Sequence, residues 1–550
     1  MKNRLHLLLF LLLLWSCSSS QERNVDRIFD KWNHSDTPGV AVAVMKDGEI
    51  VLKKGYGSAN LEYGIPVTAS TIFHIASVSK QFTAFAALML ESEGKLSMDD
   101  DIRNYLPEVP DFGKTITLRH LATHTSGLRD QWNLLALAGW RLDDVITKEQ
   151  IFKLVSKQRD LNFDPGEEFL YCNTGFTLLA EIVARVSGQT FAEFCSERIF
   201  QPLQMDYTLF YDDHEKIVPN RAYSYHPDSS GYKKSVLNYA NVGATSLFTT
   251  VEDLSKWAKN FSNPQVGDQI IIDKLNTLAL LNNGETFGGA MGQFVGEYKG
   301  ILEISHGGAD AGYRTFFARY PDQNLAVSVF SNDASFESGK FAHLVADLFL
   351  ENIMEKRTAG SPESTIPETL KPEAWVKHLG DYELKSGDIL YITEENDQLF
   401  VQATGEDTYP LMPISHTRFK LEEFDIILEF PEETDSLSQT VKVFYSENDS
   451  EEGRRTQPFD AKSVDLTEFV GNYYSEELST AYQFQIIDSN LVASHSRHHE
   501  IYFTPIKKDR FSGDTWFFGK AEFFRDSTGE VEGVVASSGR IRNLKFRKTN

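Results

Sequence analysis

Residues 356–372 divide this chain into two textures, and that division constrains the fold more than any single motif. The segment is rich in Ser, Thr, Glu and Pro and holds almost no large apolar side chain, so it reads as a linker with nothing to bury. Upstream, strand and helix patterns mix. Val40, Val42 and Val44, then Ile50 and Leu52, flank a Lys46-Asp47-Gly48-Glu49 turn and predict a hairpin with alternating apolar positions. Three strand-like runs (300–305, 315–320 and 325–330) follow in close order at the other end, and a helix over 341–354 closes the region. Strands at both sequence ends enclosing helices predict one antiparallel sheet flanked by helices, an α+β domain over 23–355. Downstream, short alternating runs such as 388–393 and 398–401 lie between turn signals. His378-Leu379-Gly380-Asp381-Tyr382 echoes Phe469-Val470-Gly471-Asn472-Tyr473, and each is followed by roughly 75 to 80 residues of strand pattern. The expectation is two small all-β barrel domains, 373–455 and 462–550, with one larger β-sandwich as the alternative.

The formal net charge of −25 over 550 residues argues against a nucleic-acid partner, because phosphate binding needs basic patches. The aromatic-basic run Lys545-Phe546-Arg547-Lys548 reads as the end of a terminal strand. At the other end, Lys2 and Arg4 precede an apolar run over 7–15, too short to span a bilayer and suited to a signal-peptide core. Leu14-Trp15-Ser16-Cys17, followed by serines, resembles a bacterial lipobox. Residues 1–21 are therefore expected to be a leader, with Cys17 lipidated and the protein exported to the periplasm or cell envelope. Its membrane contact would be through that anchor alone. A plain secretory signal is the alternative. Cys172 and Cys195 show no disulfide framework and are read as either paired or free and buried. His120 and His124 have helical spacing but no third ligand spaced to complete a metal site, so they are read as serving local hydrogen bonds, and no metal is expected.

Chemistry enters with Ser77-Val78-Ser79-Lys80, which opens an amphipathic helical run over 81–94. Three-residue spacing puts serine and lysine on one helix face. A helix start supplies free N–H groups and a positive dipole end. An amine held there, partly away from water, has its charged form disfavoured and can take the serine's proton. Taken alone, the tetrapeptide reads as a serine N-cap followed by a solvated lysine. Two more motifs change that. Pro165-Gly166-Glu167-Glu168-Phe169 leads into Tyr171-Cys172-Asn173, just before a helix over 174–187 that Gly188 stops. A tyrosine is a competent base when a cation such as Lys80 lowers its pKa. Asn173 can polarise a substrate carbonyl, hold the lysine, or cap the following helix. His306-Gly307-Gly308 ends a strand, where glycines admit close backbone approach. The Ala309 N–H beyond them could join that of Ser77 as an oxyanion hole.

The order S-x-x-K, Y-x-N, H-x-G resembles the serine hydrolases related to class C β-lactamases and penicillin-binding proteins; class A relatives carry S-x-x-K, S-D-N and K-T-G. Gly55-Tyr56-Gly57, Thr71-Ile72-Phe73, Leu121-Ala122-Thr123-His124-Thr125-Ser126-Gly127-Leu128 and Thr250-Val251-Glu252-Asp253-Leu254 extend the resemblance over about 23–355. The barrels resemble the lipocalin-like domains of D-aminopeptidase-type members. The resemblance implies an acyl-enzyme on Ser77, with Lys80 and Tyr171 moving the proton. It also implies an oxyanion hole of Ser77 and Ala309 N–H groups, substrate contacts from Asn173, His306, Gly307 and Gly308, and no cofactor. His306 and Gly307 replace the lysine and threonine that grip a substrate carboxylate. The expected substrates are therefore D-amino-acid peptides or small esters. A β-lactamase or D-alanyl carboxypeptidase is the alternative within the family, and an inactive binding or scaffold protein the alternative outside it.

Overall fold

Seven strands build the sheet of the first unit: β1 (Val40–Lys46), β2 (Glu49–Tyr56), β3 (Gly289–Ala290), β4 (Gln293–Tyr298), β5 (Ile301–Asp310), β6 (Tyr313–Tyr320) and β7 (Leu325–Ser331). They run antiparallel in the order β3-β4-β5-β6-β7-β1-β2. The sheet closes across the whole domain, because β1 pairs with β7 in the register Val40↔Ser331 to Lys46↔Leu325. This computed structural model describes residues 20–358, 375–421, 426–432, 437–446 and 449–549. Cys17 and the apolar run before it lie outside the described residues, as does 359–372 of the segment read as a linker.

The first hairpin departs from simple alternation. In β1, Val40, Val42 and Val44 pack on Val25, Phe29, Ala342 and Val345, beneath the N-terminal helix (20–28) and a C-terminal helix (Ser338–Thr358). Ala41 and Ala43 are equally buried on the opposite face. There a helix over Val251–Ser262 packs on the strand, and the small side chains leave it room. A central strand covered on both faces reads as a continuous apolar run.

The helix after Ser77, α1 (Lys80–Ser92), also departs from expectation. It is buried all round from Lys80 to Leu90 rather than amphipathic. It packs against α2 (Asn173–Ser187) and a helix over Gln269–Asn276, while Phe82 stacks on Trp257 at 4.3 Å. Its polar side chains bond inside: Trp257 Nε1–H donates to Gln81 Oε1 at 2.6 Å, and Thr83 Oγ1 donates to Gly243 O at 2.8 Å. Burying each phenylalanine of this helix contributes about 1.5–3 kcal/mol. Ser77 therefore stands at the start of a buried central element.

The second unit consists of two closed eight-stranded barrels, running from Gly380–Leu384 to Asp449–Thr456 and from Gly471–Ser475 to Ile541–Thr549. The first strand of each pairs with its last. The short sequence echo is a shared corner. Tyr382 Oη donates to His378 O at 2.9 Å, and Tyr473 Oη to Phe469 O at 2.8 Å. Gly380 and Gly471 adopt φ of 139° and 152°, a region that L side chains avoid.

Candidate active site

Ser77 lies in a tight 3₁₀ turn (Ala76–Ser79) that runs directly into α1, with Lys80 as the first α-helical residue. Its neighbours on both sides are buried while Ser77 itself is partly exposed. The turn is strained: Ala76 has φ 47°, a left-handed conformation costing a non-glycine residue about 1–2 kcal/mol. Ser79 Oγ holds the turn, donating to Ala76 O and accepting from Leu247 N–H.

Lys80 is fully buried, yet its ammonium is surrounded by acceptors. Nζ donates to Ser77 Oγ at 3.0 Å, Asn173 Oδ1 at 2.8 Å and Ala244 O at 2.7 Å. It also lies 4.9 Å from the centroid of the Tyr171 ring, where cation and π-face attract. Asn173 therefore serves the lysine. It is the first residue of α2 rather than its N-cap, and Cys172 occupies the cap position.

Tyr171 is held from two sides. His124 stacks on it at 4.1 Å, and its Nδ1 accepts the Cys172 N–H at 2.9 Å, locking the Tyr-Cys-Asn segment. On the other side, Tyr171 Oη is 3.4 Å from His306 Nε2. His306 Nδ1–H donates to Gly307 O at 2.6 Å, so Nε2 carries the lone pair that faces the tyrosine. Burial, then the nearby Lys80 charge, lowers the His306 pKa to about 3, leaving the imidazole neutral at physiological pH.

The two glycines beside His306 differ in purpose. A Cβ on Gly308 would sit 2.3 Å from Thr315 Oγ1 and 2.4 Å from Ile75 O, so only glycine lets β5 press against the Ser77 turn. A Cβ on Gly307 would meet nothing closer than 3.6 Å, so its missing side chain leaves space rather than relieving a clash. On its other edge β5 is paired with β4 only as far as Ser305, which leaves the His306–Asp310 edge without a ladder partner on that side among the described residues. Ala309 lies on this free stretch, one residue beyond the contact with the Ser77 turn. Asp310 ties the stretch down: its Oδ2 is 3.0 Å from His74 Nε2 and accepts from Thr245 Oγ1. His74 sits three residues before Ser77.

One carboxylate here was not singled out in the sequence. Asp130 is fully buried, and its Oδ2 accepts both the Asn173 N–H at 2.6 Å and Nδ2–H at 2.8 Å. It therefore turns the Asn173 amide so that Oδ1 faces Lys80. The local signal was an Asp ahead of a helix, since Oδ1 also accepts the Trp132 N–H at 3.0 Å. His120 makes a local bond, its Nδ1 accepting Thr117 N–H at 3.2 Å. Cys172 and Cys195 are buried free thiols.

A family model described as Beta-lactamase matches residues 25–350. The chain belongs to the Beta-lactamase family. Among relatives in that family, penicillin-binding protein 4* of Bacillus subtilis is 27% identical over 461 residues, covering 80% of this chain and 99% of that one. A D-aminopeptidase of Brucella anthropi is 27% identical over 544 residues, covering 94% of this chain and 96% of its own, a match that runs through the barrels. Among solved structures, an octameric penicillin-binding protein homologue from Pyrococcus abyssi shares the fold, with a TM-score of 0.55 and 24% identity over 79% of this chain and 99% of that one. The Beta-lactamase-family domain and the two barrels are the architecture expected from the motifs.

Proposed function

We propose that this chain is a serine hydrolase that cleaves amides or esters, with D-amino-acid peptides or small esters as substrates, through an acyl-enzyme on Ser77. The observation that carries the reading is Lys80 Nζ bridging Ser77 Oγ and Asn173 Oδ1 inside a buried site. Because Oγ accepts from Nζ, its own hydrogen is free to leave. Lys80 and Tyr171 act as one acid–base pair that lacks a proton in its active form. As Oγ bonds to the carbonyl carbon, the Ser77 proton passes to this pair. The oxyanion is held by the Ser77 and Ala309 N–H groups. Tyr171 then gives the proton to the leaving nitrogen or oxygen and the C–N or C–O bond breaks; the same pair next takes a proton from the water that attacks the acyl carbon and returns it to Ser77 Oγ as the C–Oγ bond breaks. Neutral His306 accepts from the Tyr171 hydroxyl and orients it. The Brucella anthropi relative, named a D-aminopeptidase, supports the amide substrate class. The B. subtilis relative, named a penicillin-binding protein, keeps a β-lactam or D-alanyl carboxypeptidase reaction as a second reading.

The test is a screen of the purified protein against D-amino-acid amides, D-alanyl dipeptides, short p-nitrophenyl esters and a chromogenic cephalosporin. Amide or ester turnover should exceed cephalosporin turnover. Ser77→Ala should abolish it, and Lys80→Ala should cost at least about 10² in rate. Fast cephalosporin turnover would reverse the ranking, and absence of a fluorophosphonate adduct on Ser77 would end the enzyme reading.

We further propose export as a lipoprotein anchored through Cys17, on the strength of the leader pattern at 1–21. Cells fed radiolabelled palmitate should label the wild-type chain and not Cys17→Ala. Labelling of the variant would refute the anchor.

A further inference from the structure

A chain of aromatic rings runs beside the His306-Gly307-Gly308 edge. Phe294, at the point where β4 leaves β5, has its centroid 5.3 Å from the His306 ring. Phe169 lies 6.2 Å from Phe294 and 6.0 Å from His124. His124 is 4.1 Å from Tyr171, and Tyr171 is 6.0 Å from His306, which closes the circuit. Phe287, from a separate loop, stacks on Phe169 at 4.5 Å. The two histidines of this circuit are buried, whereas Phe169, Phe287, Phe294 and Tyr171 are all partly exposed. Phenylalanines that serve the core of this domain, such as Phe73, Phe82 and Phe85, are fully buried. Three separate chain segments thus bring half-exposed apolar rings together beside His124 and His306, the two histidines that flank Tyr171.

The position in the reaction follows from Tyr171. This residue returns the proton to the leaving atom, so groups on the Tyr171–His306 side of Ser77 face the departing half of the substrate. Charge recognition is poorly supplied there, since Gly307 has no side chain and His306 is held neutral. Aromatic surface stands in its place.

We propose that Phe169, Phe287 and Phe294 form a leaving-group subsite that selects an uncharged aromatic or bulky apolar group. The proposal rests on the acyl-transfer reading of Ser77 and deepens it: the substrate is an amide or ester whose departing half carries an apolar ring or branched chain rather than a free carboxylate next to the scissile bond. An apolar contact of this size discriminates by about 10- to 200-fold.

The experiment compares the N-benzyl and N-ethyl amides of D-alanine, which share the acyl half and differ in the leaving amine. The quantity read is the ratio of their kcat/KM values. The wild-type ratio should favour the benzyl amide by about 10-fold or more. Phe287→Ala, and independently Phe294→Leu, should bring it towards one. A wild-type ratio near one, or a ratio unmoved by both variants, overturns the subsite while leaving Ser77 chemistry intact. The same holds if Phe287→Ala instead changes the preference between D-phenylalanyl and D-alanyl ethyl amides, which would place the rings on the acyl side. A second readout is independent of turnover. Saturation-transfer NMR on Ser77→Ala should show N-benzylacetamide bound through its ring, with the signal lost in Ser77→Ala/Phe287→Ala. Ring saturation that persists in the double variant overturns the proposal even if neither amide is hydrolysed, and absence of turnover with ring binding intact counts against the acyl-transfer reading alone.

Discussion

Replacing Asp130 with asparagine should slow acylation of Ser77 without unfolding the protein. The carboxylate accepts two bonds from Asn173, at 2.6 and 2.8 Å, and both are assisted by its charge. Both bonds end on Oδ2 while Oδ1 accepts the Trp132 N–H, so an amide at 130 either keeps its oxygen on Asn173 and presents NH₂ to Trp132, or presents NH₂ to both Asn173 donors. Either way a hydrogen bond to the carboxylate is lost: in the first case the Asn173 bonds also lose their charge assistance, and in the second the Asn173 amide is free to flip and turn its NH₂ towards the Lys80 ammonium. Losing one hydrogen bond to a charged group costs about 1.5–3 kcal/mol, which at 1.4 kcal/mol per factor of ten is about 10- to 150-fold. The assay is the second-order rate of Ser77 labelling by a fluorophosphonate, measured across pH and paired with thermal melting. If Asp130 acts by positioning Asn173, then Asn173→Ala and Asp130→Asn/Asn173→Ala should be equally slow, because the double variant has nothing further to lose. Additive effects in that cycle, or a melting temperature that falls in step with the rate, would refute the positioning role.

Two other perturbations follow from the same geometry. Gly308→Ala forces a Cβ to within 2.4 Å of Ile75 O and moves the Ala309 N–H, so it should cost about 10²–10³ in rate, the worth of one oxyanion donor. Gly307→Ala meets its first neighbour at 3.6 Å and should melt like wild type while losing far less activity; equal losses in the two variants would contradict this contrast. Acid should destabilise the first unit. His306 and His74 are held below the usual imidazole pKa of 6.5 chiefly by burial, so the unfolded chain binds more protons. The stability they contribute is complete above pH 6.5 and falls as pH drops below it, for His306 down to about 3, with a limit of about 1.4 kcal/mol per pH unit for each histidine. Calorimetric melting between pH 7 and pH 4 reads this slope, and His74→Gln should flatten it.

The parts of the site legible in the sequence are those whose meaning is local. Ser77 and Lys80 are three residues apart, Tyr171 and Asn173 two, and His306 to Ala309 form one strand end, so each group announces itself without knowledge of the fold. Asp130 does not. Its two bonds to Asn173 cross 43 positions, and what shows locally is a plain helix-start aspartate. The His74–Asp310 contact spans 236 positions and was equally silent. The reading of α1 as amphipathic failed for a related reason. Gln81 and Thr83 look like a solvated face, but their bonds to Trp257 and Gly243 are made inside the domain. Polar side chains satisfied at long range cannot be told from exposed ones by periodicity alone.

The echo around Gly380 and Gly471 was legible because the same physical problem is solved twice. Each barrel must bring its last strand back to its first across some 75–80 intervening residues, and the entropic cost of that closure calls for a specific landing point. The tyrosine two residues after each glycine supplies it. Arg455, on the last strand of the first barrel, lies 4.8 Å from the Tyr382 ring and donates to its Oη at 2.6 Å; Lys548, on the last strand of the second, lies 5.8 Å from the Tyr473 ring. A Cβ on either glycine would collide with that same basic side chain, 2.2 Å from Arg455 Nη1 and 2.7 Å from Lys548 Cε, so the glycine and the cation form one device. Inside the second barrel Tyr473, Phe484 and Phe523 contact one another at 5.1–5.7 Å, and inside the first His378 stacks on Phe430 at 4.2 Å. These rings, with the apolar side chains around them, make each interior a packed core.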